Sequence, residues 1–471
     1  MKLPAKELSP IEVYKLLPGT NCKECGETNC MAFAAKLVNR ETTIQNCPPL
    51  LNEKYKSAFD KLWALLKPPV RAVEVGVGEK KKIIGGEYVV HRHDFTYFNP
   101  TAIAVDVSDE MSDEELTARI NAVKDFEYEY IGMKLRLDMI AVRSTSNDPA
   151  KFEATVRKVS ESGFPLILCT LNPAVIEQGL TIVSKEKPLI YAATKDNWRE
   201  MAELALMYKV PLVVSAPFDL KMLKSLARTL VEYGVEDLIL DPGTMFGEGL
   251  ADTLNNFTML RISAIEKEDE FLGFPLLGLP ITAWQEKYED QVINEWNEAM
   301  LACALITRYA DLIIIHGLEG WALLPLVFLR QNLYTDPRKP VSVEPGVRKF
   351  GNPTVASPML LTTNFALTYY TVAADIESAK LDCYLLVVDT EGISVESAIA
   401  GRKMTADTAA EAIKNFKLDD YVNHKTIIIP GRAARISGEI EELSGWKVLV
   451  GPLDSSGLPK FLESSWKTKS S

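Results

Sequence analysis

The sequence lacks the long apolar run that a membrane-spanning helix needs. No uninterrupted apolar stretch in its 471 residues approaches the roughly 20 residues that cross a bilayer, so we expect no membrane protein. Cysteine is also scarce, because seven residues are too few for a disulfide scaffold in a chain of this length. The 47% apolar and 25% charged residues are typical of a globular protein with more than one domain.

Positive charge is in deficit as well. The chain has 52 Lys and Arg against 64 Asp and Glu, which gives a net charge of −12. Such a surface repels a phosphate backbone, so we expect no nucleic-acid partner. The first residues, MKLPAKELSP, show no charged-then-apolar leader. Together with the few cysteines, this predicts a cytoplasmic protein.

Four of the seven cysteines nevertheless lie close together, at Cys22, Cys25, Cys30 and Cys47. The spacing C-x2-C-x4-C-x16-C lacks the two C-x2-C pairs of a zinc ribbon, and soft thiolates suit an iron–sulfur cluster. We therefore predict a 4Fe-4S cluster, with zinc and a set of unrelated thiols as the alternatives. A short helix capped by Ser9 should precede the cysteines, and a second helix should start near Cys30.

From about residue 100 to residue 335, a short apolar run, a polar turn and an amphipathic stretch alternate eight times. The runs are apolar without alternation, as in strands buried on both faces of a parallel sheet. They are predicted to end at Val107, Val142, Thr170, Ala193, Ala216, Asp241, Leu279 and Ile315. Eight βα units predict a (β/α)8 TIM barrel, whose functional sites lie at the carboxyl ends of its strands.

Polar residues at those strand ends are the catalytic candidates of the barrel. They are Asp106, Asn172, Asp241 and His316. Such residues often cap loops, and no metal-ligand set or nucleophile–base pair accompanies them. A structural role is therefore the favoured interpretation.

Other chemically suggestive residues are given structural interpretations. His91 and His93 have no third ligand nearby and are interpreted as part of a surface hairpin. The glycines of EVGVGEKKK do not match the dinucleotide-binding pattern and predict a turn. The three remaining cysteines stand singly in apolar runs and are interpreted as core residues: Cys169, Cys303 and Cys383.

After QNLYTDPRKP and EPGVRKFGNPTVASP, the pattern restarts in shorter units, which predicts a linker and a new domain near residue 335. Four βα rounds, with strands in MLLTT, YLLVVD, KTIIIP and KVLVG, predict a small Rossmann-like parallel sheet. The turns TTN, DTEGIS, PGRA and GPLDSSG should meet at one edge, where small residues let the backbone approach a large flat ligand. Tight connections without a ligand are the alternative. Strand-edge geometry alone makes Gly431 a candidate contact.

The whole chain is thus predicted to be an α/β protein of three domains. Residues 1–62 form a cluster domain, residues 63–334 a barrel with its preceding linker, and residues 335–471 a Rossmann-like domain.

Recognisable residues occur in all three regions. They are LLPGTNCKECGETNCMAFAAKL, RQNLYTDP, LLTTNFALTYYTVAADIESAK, VVDTEGISV and IIIPGRAARISGEIEELSGWKVLVGP. The chain resembles the large (gamma) subunit of the corrinoid iron–sulfur protein of the carbon monoxide dehydrogenase/acetyl-CoA synthase system. The cluster segment alone also resembles a subunit of Rnf-type redox complexes.

This resemblance implies a methyl carrier of the reductive acetyl-CoA pathway. A pterin methyltransferase would pass a methyl group to Co(I) of a corrinoid, and methyl-Co(III) would deliver it to the nickel site of acetyl-CoA synthase. The 4Fe-4S cluster would reduce cobalt that has slipped to Co(II). The resemblance also implies a smaller (delta) partner subunit.

Carried over by position, the family's corrinoid contacts are Thr362, Thr368, Gly392, Ile393, Ser394, Val395 and Ser455. The cluster ligands carry over to the same four cysteines. The D-x-H-x-x-G motif that supplies a cobalt-binding histidine in methionine-synthase-like proteins is missing, so we predict a base-off corrinoid without an axial His.

Two other functions stay open at this stage. One is a barrel methyltransferase that binds methyl-pterin through Asp106, Asn172 and Asp241. The other is an electron-transfer iron–sulfur protein without a corrinoid.

Overall fold

The computed structural model describes residues 8–286, 288–337 and 340–466. They form two compact units. One consists of the residues up to Tyr128 together with Leu135–Thr335, and the other of Glu129–Lys134 together with the residues from Asp336 onward. Residues 8–62 and most of residues 63–334 thus belong to one unit, while Glu129–Lys134 belong to the other, and a separate cluster domain stays a prediction. Within the described ranges, no helix combines the length and the apolar character needed to cross a membrane.

The N-terminal segment contains three helices: α1 (Pro10–Tyr14), α2 (Cys30–Val38) and α3 (Lys56–Leu66). Ser9 caps α1 as predicted, because its side chain accepts a hydrogen bond from the Glu12 N–H and the Glu12 carboxylate accepts one from the Ser9 N–H. The second helix begins at Cys30, as predicted, and the Asn29 side chain caps it. The buried faces of the three helices pack into one small core that includes Cys30 and Cys47.

The barrel lies in the same unit. The strands up to residue 315 are β1 (Ala72–Val75), β2 (Lys82–Gly85), β3 (Ala102–Ser108), β4 (Glu127–Tyr130), β5 (Met133–Arg136), β6 (Met139–Arg143), β7 (Leu166–Cys169), β8 (Leu189–Ala193), β9 (Leu212–Ser215), β10 (Leu238–Asp241), β11 (Leu277–Gly278) and β12 (Leu312–Ile315). Eight of them pair in parallel in the order β10-β9-β8-β7-β6-β3-β12-β11. A bridge between Leu240 and Leu276 makes the barrel nearly closed. The predicted eight-stranded barrel is confirmed, and each strand ends within one residue of its predicted end.

One helix follows each barrel strand. These helices are α4 (Asp113–Asp125), α5 (Pro149–Ser160), α6 (Pro173–Val183), α7 (Trp198–Tyr208), α8 (Leu220–Tyr233), α9 (Leu250–Ile265), α10 (Gln291–Thr307) and α11 (Gly320–Tyr334). In α8, Asp219 caps the first turn, and Leu223, Leu226 and Leu230 are buried at helical spacing. Gly234 then ends the helix with a φ of +110°. Inside the barrel, strand residues share one core with Val73 from the β1–β2 hairpin.

The predicted hairpin around the two histidines is wrong. Residues 91–95 form turns and bends rather than strands, and both imidazoles are exposed with their ring centroids 5.5 Å apart. Within the described residues, neither histidine belongs to a group of three or more His, Cys, Asp or Glu side chains that could hold a metal ion. The predicted glycine turn does form, since Gly76 and Gly78 have φ values of +87° and +65° between β1 and β2.

The second unit is a five-stranded α/β sheet. Its strands are β13 (Gly346–Phe350), β14 (Met359–Thr363), β15 (Cys383–Val388), β16 (Thr426–Ile429) and β17 (Lys447–Val450), in the order β13-β15-β14-β16-β17. Its helices are α12 (Ala366–Ser378), α13 (Val395–Ala400), α14 (Ala406–Asn415), α15 (Ser437–Ser444) and α16 (Leu458–Ser465). The sheet separates two cores. One contains residues of α13, α14 and α15, and the other contains residues of α12 and α16.

The four predicted strands are present and parallel, but β13 is an addition. It pairs antiparallel with β15 at the sheet edge, within a segment that sequence analysis interpreted as a linker. The reason is its pattern, because only Gly346 and Phe350 of GVRKF are buried and charged residues lie between them. A short, charged strand of this kind is typical of a sheet edge and gives little hydrophobic signal.

The strand order determines where a ligand can bind. From β14, the chain moves to one side to form β15, and it later forms β16 and β17 on the other side. The carboxyl ends of β14 and β16 therefore flank a topological switch point, where helices on opposite faces of the sheet leave a crevice.

Candidate functional site

A cavity of about 500 Å3 lies at this switch point. Its floor is formed by the ends of β14 and β16, and one wall by the first turns of α12. The first turn of α13 and the turns after β16 and β17 complete its lining. The predicted meeting of these turns at one edge is thus observed within the second unit.

Five of the eight predicted corrinoid contacts line this cavity, and three do not. The lining contacts are Thr362, Thr368, Ser394, Val395 and Ser455. The three others, Gly392, Ile393 and Gly431, lie in the adjoining turns and have different roles. Whether any of the eight contacts a corrinoid stays a prediction.

Thr362 has a buried polar atom at the cavity wall, without a partner in the described part of the chain. Its side chain is 1% exposed, and its hydroxyl has no hydrogen-bond partner among the described residues. A buried hydroxyl without a partner is costly, and native structures satisfy nearly all such groups. The neighbouring Thr363 hydroxyl is also buried and unpartnered, but Thr363 does not line the cavity. A polar ligand at the cavity wall would satisfy the Thr362 hydroxyl.

Gly431 acts as a packing residue between two turns. Its N–H donates to the Pro452 carbonyl at 2.9 Å. A Cβ at this position would lie 2.8 Å from the carbonyl oxygens of Gly451 and Pro452. The glycine therefore permits a close approach of two backbone segments that both line the cavity, rather than a direct contact with a ligand.

Ile393 and Gly392 support the turn between β15 and α13. Ile393 packs against the core on the α13 side of the sheet. Gly392 has a φ of +72°, and a Cβ there would lie 3.0 to 3.1 Å from Pro340 and Ser342. Both residues lie in the turn that the resemblance indicated, but their side-chain positions face protein rather than the cavity.

Sequence reasoning missed several lining residues. Leu367, Thr371 and Val372 extend the α12 wall. Thr371 and Val372 could have been found from their spacing of three and four residues from Thr368. At another part of the lining, Arg432 Nη1 lies 2.5 Å from Glu396 Oε2. This pair had no sequence signal, because its two residues are separated by 36 positions and come together only when β15 and β16 flank β14.

The four N-terminal cysteines differ in exposure. Cys22 is exposed, Cys25 is half-buried, and Cys30 and Cys47 are buried. The Asn21 N–H donates to Cys30 Sγ at 3.4 Å, at the start of α2. Burial raises the pKa of the Cys47 thiol, and the charges of the other three thiols raise it further. Within the described residues, the four cysteines are not gathered into a set that could hold a metal ion, so their joint ligation of a cluster stays a prediction.

The carboxylate of Asp106, near the end of β3, is fully hydrogen-bonded by residues of its own chain. It is 1% exposed, and its carboxylate lies 2.6 Å from His316 Nδ1 and accepts from Arg143 Nη2 at 2.9 Å. Burial alone would raise the pKa of Asp106, but the His316 hydrogen bond and the nearby charges of His316, Arg119 and Arg143 lower it overall. This carboxylate is therefore fully hydrogen-bonded within its own chain, and its favoured structural interpretation stays a prediction.

Asp241 and Asn172 also form hydrogen bonds within the barrel. Asp241 is fully buried and accepts from the hydroxyls of Tyr191 at 2.9 Å and Ser215 at 2.7 Å. Burial raises the pKa of Asp241, and these hydrogen bonds oppose the rise. Asn172 caps α6 by accepting from the Ala174 N–H at 3.1 Å. All three acidic or amide candidates are thus partnered within the barrel.

The remaining cysteines have environments close to those expected. Cys383 is buried, and Cys169 and Cys303 are half-buried. Burial raises the pKa of both Cys169 and Cys383 to about 12. Such thiols stay protonated and unreactive at neutral pH.

Comparisons with known proteins agree with the resemblance that the sequence shows in all three of its regions. The family model described as CO dehydrogenase/acetyl-CoA synthase delta subunit matches residues 72–462, and an Fe-S cluster model matches residues 17–49. An acetyl-CoA decarbonylase/synthase complex subunit gamma of Methanosarcina acetivorans is 49% identical over 98% of this chain and 99% of its own length. A subunit gamma of Methanothermobacter thermautotrophicus is 44% identical over 97% of this chain and 99% of its own length.

A solved structure of dihydropteroate synthase from Thermus thermophilus matches 56% of this chain and all of its own, at 17% identity and a TM-score of 0.39. At that similarity the match decides nothing about this chain. The family match and the near full-length relatives do decide its membership. The chain belongs to the CO dehydrogenase/acetyl-CoA synthase delta subunit family, in which its curated relatives are gamma subunits of acetyl-CoA decarbonylase/synthase complexes.

Proposed function

We propose that this chain is the corrinoid-binding methyl carrier of an acetyl-CoA decarbonylase/synthase complex. It takes a methyl group from a methyl-tetrahydropterin, with the help of a pterin methyltransferase, and passes it to the nickel site of acetyl-CoA synthase. When bound, the corrinoid supplies the cobalt that accepts and releases the methyl group. A smaller delta subunit is the proposed partner, and the cytoplasm is the proposed compartment.

The observation that carries this proposal is the cavity at the switch point of the second unit. We propose that this unit is a Rossmann-like corrinoid-binding domain. Its crevice lies where open α/β sheets bind ligands, and the unpartnered Thr362 hydroxyl lies at its wall. Small residues in the surrounding turns, such as Gly451 and Ser455, let a broad ligand approach the backbone. The near full-length likeness to gamma subunits supports the same assignment.

The histidines support a base-off corrinoid. The chain has four of them, and none lines the cavity. The nearest to the sheet, His424, lies with Nε2 2.9 Å from the Ser357 carbonyl oxygen, before β16 rather than after it. Electron paramagnetic resonance of the Co(II) protein should therefore lack nitrogen superhyperfine coupling. Such coupling would contradict the proposed absence of an axial His.

Thr362→Val tests the site with little change in shape. Loss of an unpartnered hydroxyl should leave the free energy of unfolding unchanged or raise it slightly, while binding of cobinamide should weaken about 5- to 20-fold. Thr363→Val is the matched control, because its hydroxyl is equally buried and unpartnered but does not line the cavity. Equal effects of the two substitutions on cobinamide binding would contradict the proposed site.

We further propose that Cys22, Cys25, Cys30 and Cys47 hold a 4Fe-4S cluster that reduces oxidised cobalt. The start of α2 at Cys30 and the Asn21 N–H bond to its sulfur would stabilise negative charge on such a cluster. Cys25→Ala should lower iron content and abolish reductive reactivation, but leave transfer of a preloaded methyl group intact. Cys303→Ala is the control, since Cys303 stands alone on α10. Equal loss of both activities would mean that the four cysteines serve structure only.

A barrel methyltransferase is the competing function. It gains no support from Asp106 and Asp241, because both carboxylates are already hydrogen-bonded to groups of the barrel. Isothermal titration of the isolated chain with methylated pterin should show no tight binding. Tight binding would favour the methyltransferase over the carrier.

A further inference from the structure

The wall of the cavity depends on a turn with an unfavourable backbone. Residues 389–394 connect β15 to α13, and Ser394 and Val395 at the end of the turn line the cavity. Glu391 and Gly392 both have positive φ, at +59° and +72°. The left-handed region is unfavourable for a glutamate because of its Cβ. This turn therefore needs contacts from outside itself to keep its shape.

One side chain supplies most of these contacts. Asn364, the residue after β14, is 4% exposed. Its Oδ1 accepts from the N–H groups of Thr390 at 2.9 Å and Gly392 at 3.0 Å, and its Nδ2 donates to Asp389 Oδ1 at 3.0 Å. The Thr390 hydroxyl lies 3.0 Å from the same Oδ1 and 2.8 Å from the Ile393 carbonyl oxygen. Asn364 thus bonds three of the residues that shape the turn.

The amide is the side chain that suits all these partners. Backbone N–H groups can only donate, so the oxygen must face Thr390 and Gly392, and the NH2 must then face the Asp389 carboxylate. The backbone of Asn364 is itself fixed, because its N–H donates to Val388 and its carbonyl accepts from Val343, both at 2.9 Å. The side chain therefore acts as a rigid link between β14 and the turn.

We infer that Asn364 is a positioning residue for the cofactor, which holds the turn so that Ser394 and Val395 keep their places at the cavity wall. This inference rests on the proposed function, because it assumes that the cavity binds a corrinoid. It adds a residue that the carried-over contacts do not include and that does not itself line the cavity.

The test uses the full chain with its partner subunit and two measurements. Hydrogen exchange without any corrinoid reports the turn directly, and equilibrium binding of cobinamide reports the site. Asn364→Ala should speed exchange of the Thr390 and Gly392 amides and weaken cobinamide binding about 10- to 30-fold. The matched control is Asn415→Ala, an exposed residue at the end of α14 with no role in this turn.

Asn364→Asp separates positioning from simple damage. It keeps an acceptor for Thr390 and Gly392 but places a second carboxylate against Asp389. The two facing carboxyl groups can share a proton in acid, so the binding defect should be larger at pH 8 than at pH 5. Adding Asp389→Asn should restore a donor and much of the binding. The other charged group of the turn, Glu391, pairs with Lys403 from the segment after α13 at 2.6 Å, and both are unchanged in these variants.

The outcomes are distinct. Faster exchange with unchanged cobinamide binding, or a defect of Asn364→Asp that neither acid nor Asp389→Asn relieves, would overturn the positioning role. Failure of the unsubstituted protein to bind cobinamide would instead overturn the proposed function.

Discussion

Gly431→Ala is the substitution whose effect can be worked out most directly from the structure. The added Cβ would lie 2.8 Å from two carbonyl oxygens and 2.9 Å from the Leu453 nitrogen. All three atoms are backbone, so the turns after β16 and β17 must separate by a few tenths of an ångström. Because the φ of Gly431 is not in the left-handed region, alanine meets no conformational penalty, and the effect is purely steric.

The expected cost is about 2 kcal/mol, in the range of an overpacked core. The Gly431 N–H bond to Pro452, at 2.9 Å, would also weaken. Hydrogen exchange of the intact chain, followed in peptides that cover β16 and β17, should therefore become about 30-fold faster. Cobinamide binding should weaken too, because both turns line the cavity.

Gly438→Ala provides the control for this experiment. Gly438 lies in α15, and a Cβ there meets nothing within 4 Å. Alanine should be neutral or stabilise the helix by up to about 1 kcal/mol. Wild-type exchange in Gly431→Ala, or equally fast exchange in both variants, would refute the close-approach reasoning.

Two further predictions concern the barrel. Asp106→Asn should destabilise it by about 2–4 kcal/mol at pH 7, less than for a fully buried pair because Arg143 and His316 are partly exposed. Since the pKa of Asp106 is lowered in the folded protein, the stabilisation that this carboxylate provides is present at neutral pH and is lost in acid as the pH falls through that pKa. Thermal unfolding of the variant, measured against pH, should lack this acid-dependent loss. The same pH dependence in the variant and the wild type would contradict the network. Ser112→Ala should lower the free energy of unfolding by about 1 kcal/mol, because Ser112 Oγ accepts from the Glu115 N–H at 3.2 Å. Unaltered hydrogen exchange in the first turn of α4 would contradict the capping role.

The barrel could be predicted from sequence because its signal is local and repeated. Runs such as LILC at β7 are buried along most of their length, and each is followed by a helix with apolar residues at helical spacing. Capping residues such as Asp148 and Asn172 also precede their helices directly. Strand β13 escaped prediction because its burial depends on β15, which follows it by more than 30 residues.

The candidate site could be predicted only in part. Turns after strands indicate an edge, so the region of Thr362 and Ser455 was found. Which side chains face the cavity depends on backbone dihedrals and on long-range contacts. Gly431 packs against the turn after β17, and Asn364 binds a turn 25 residues away, so neither role has a local signal.

Metal analysis with visible absorption spectroscopy tests the central claim most directly. The protein should be purified without oxygen, together with its partner subunit. We expect about four iron atoms per chain, and up to about one cobalt per heterodimer with corrinoid absorption. Iron without any cobalt or corrinoid absorption would contradict the methyl-carrier function and leave an electron-transfer protein.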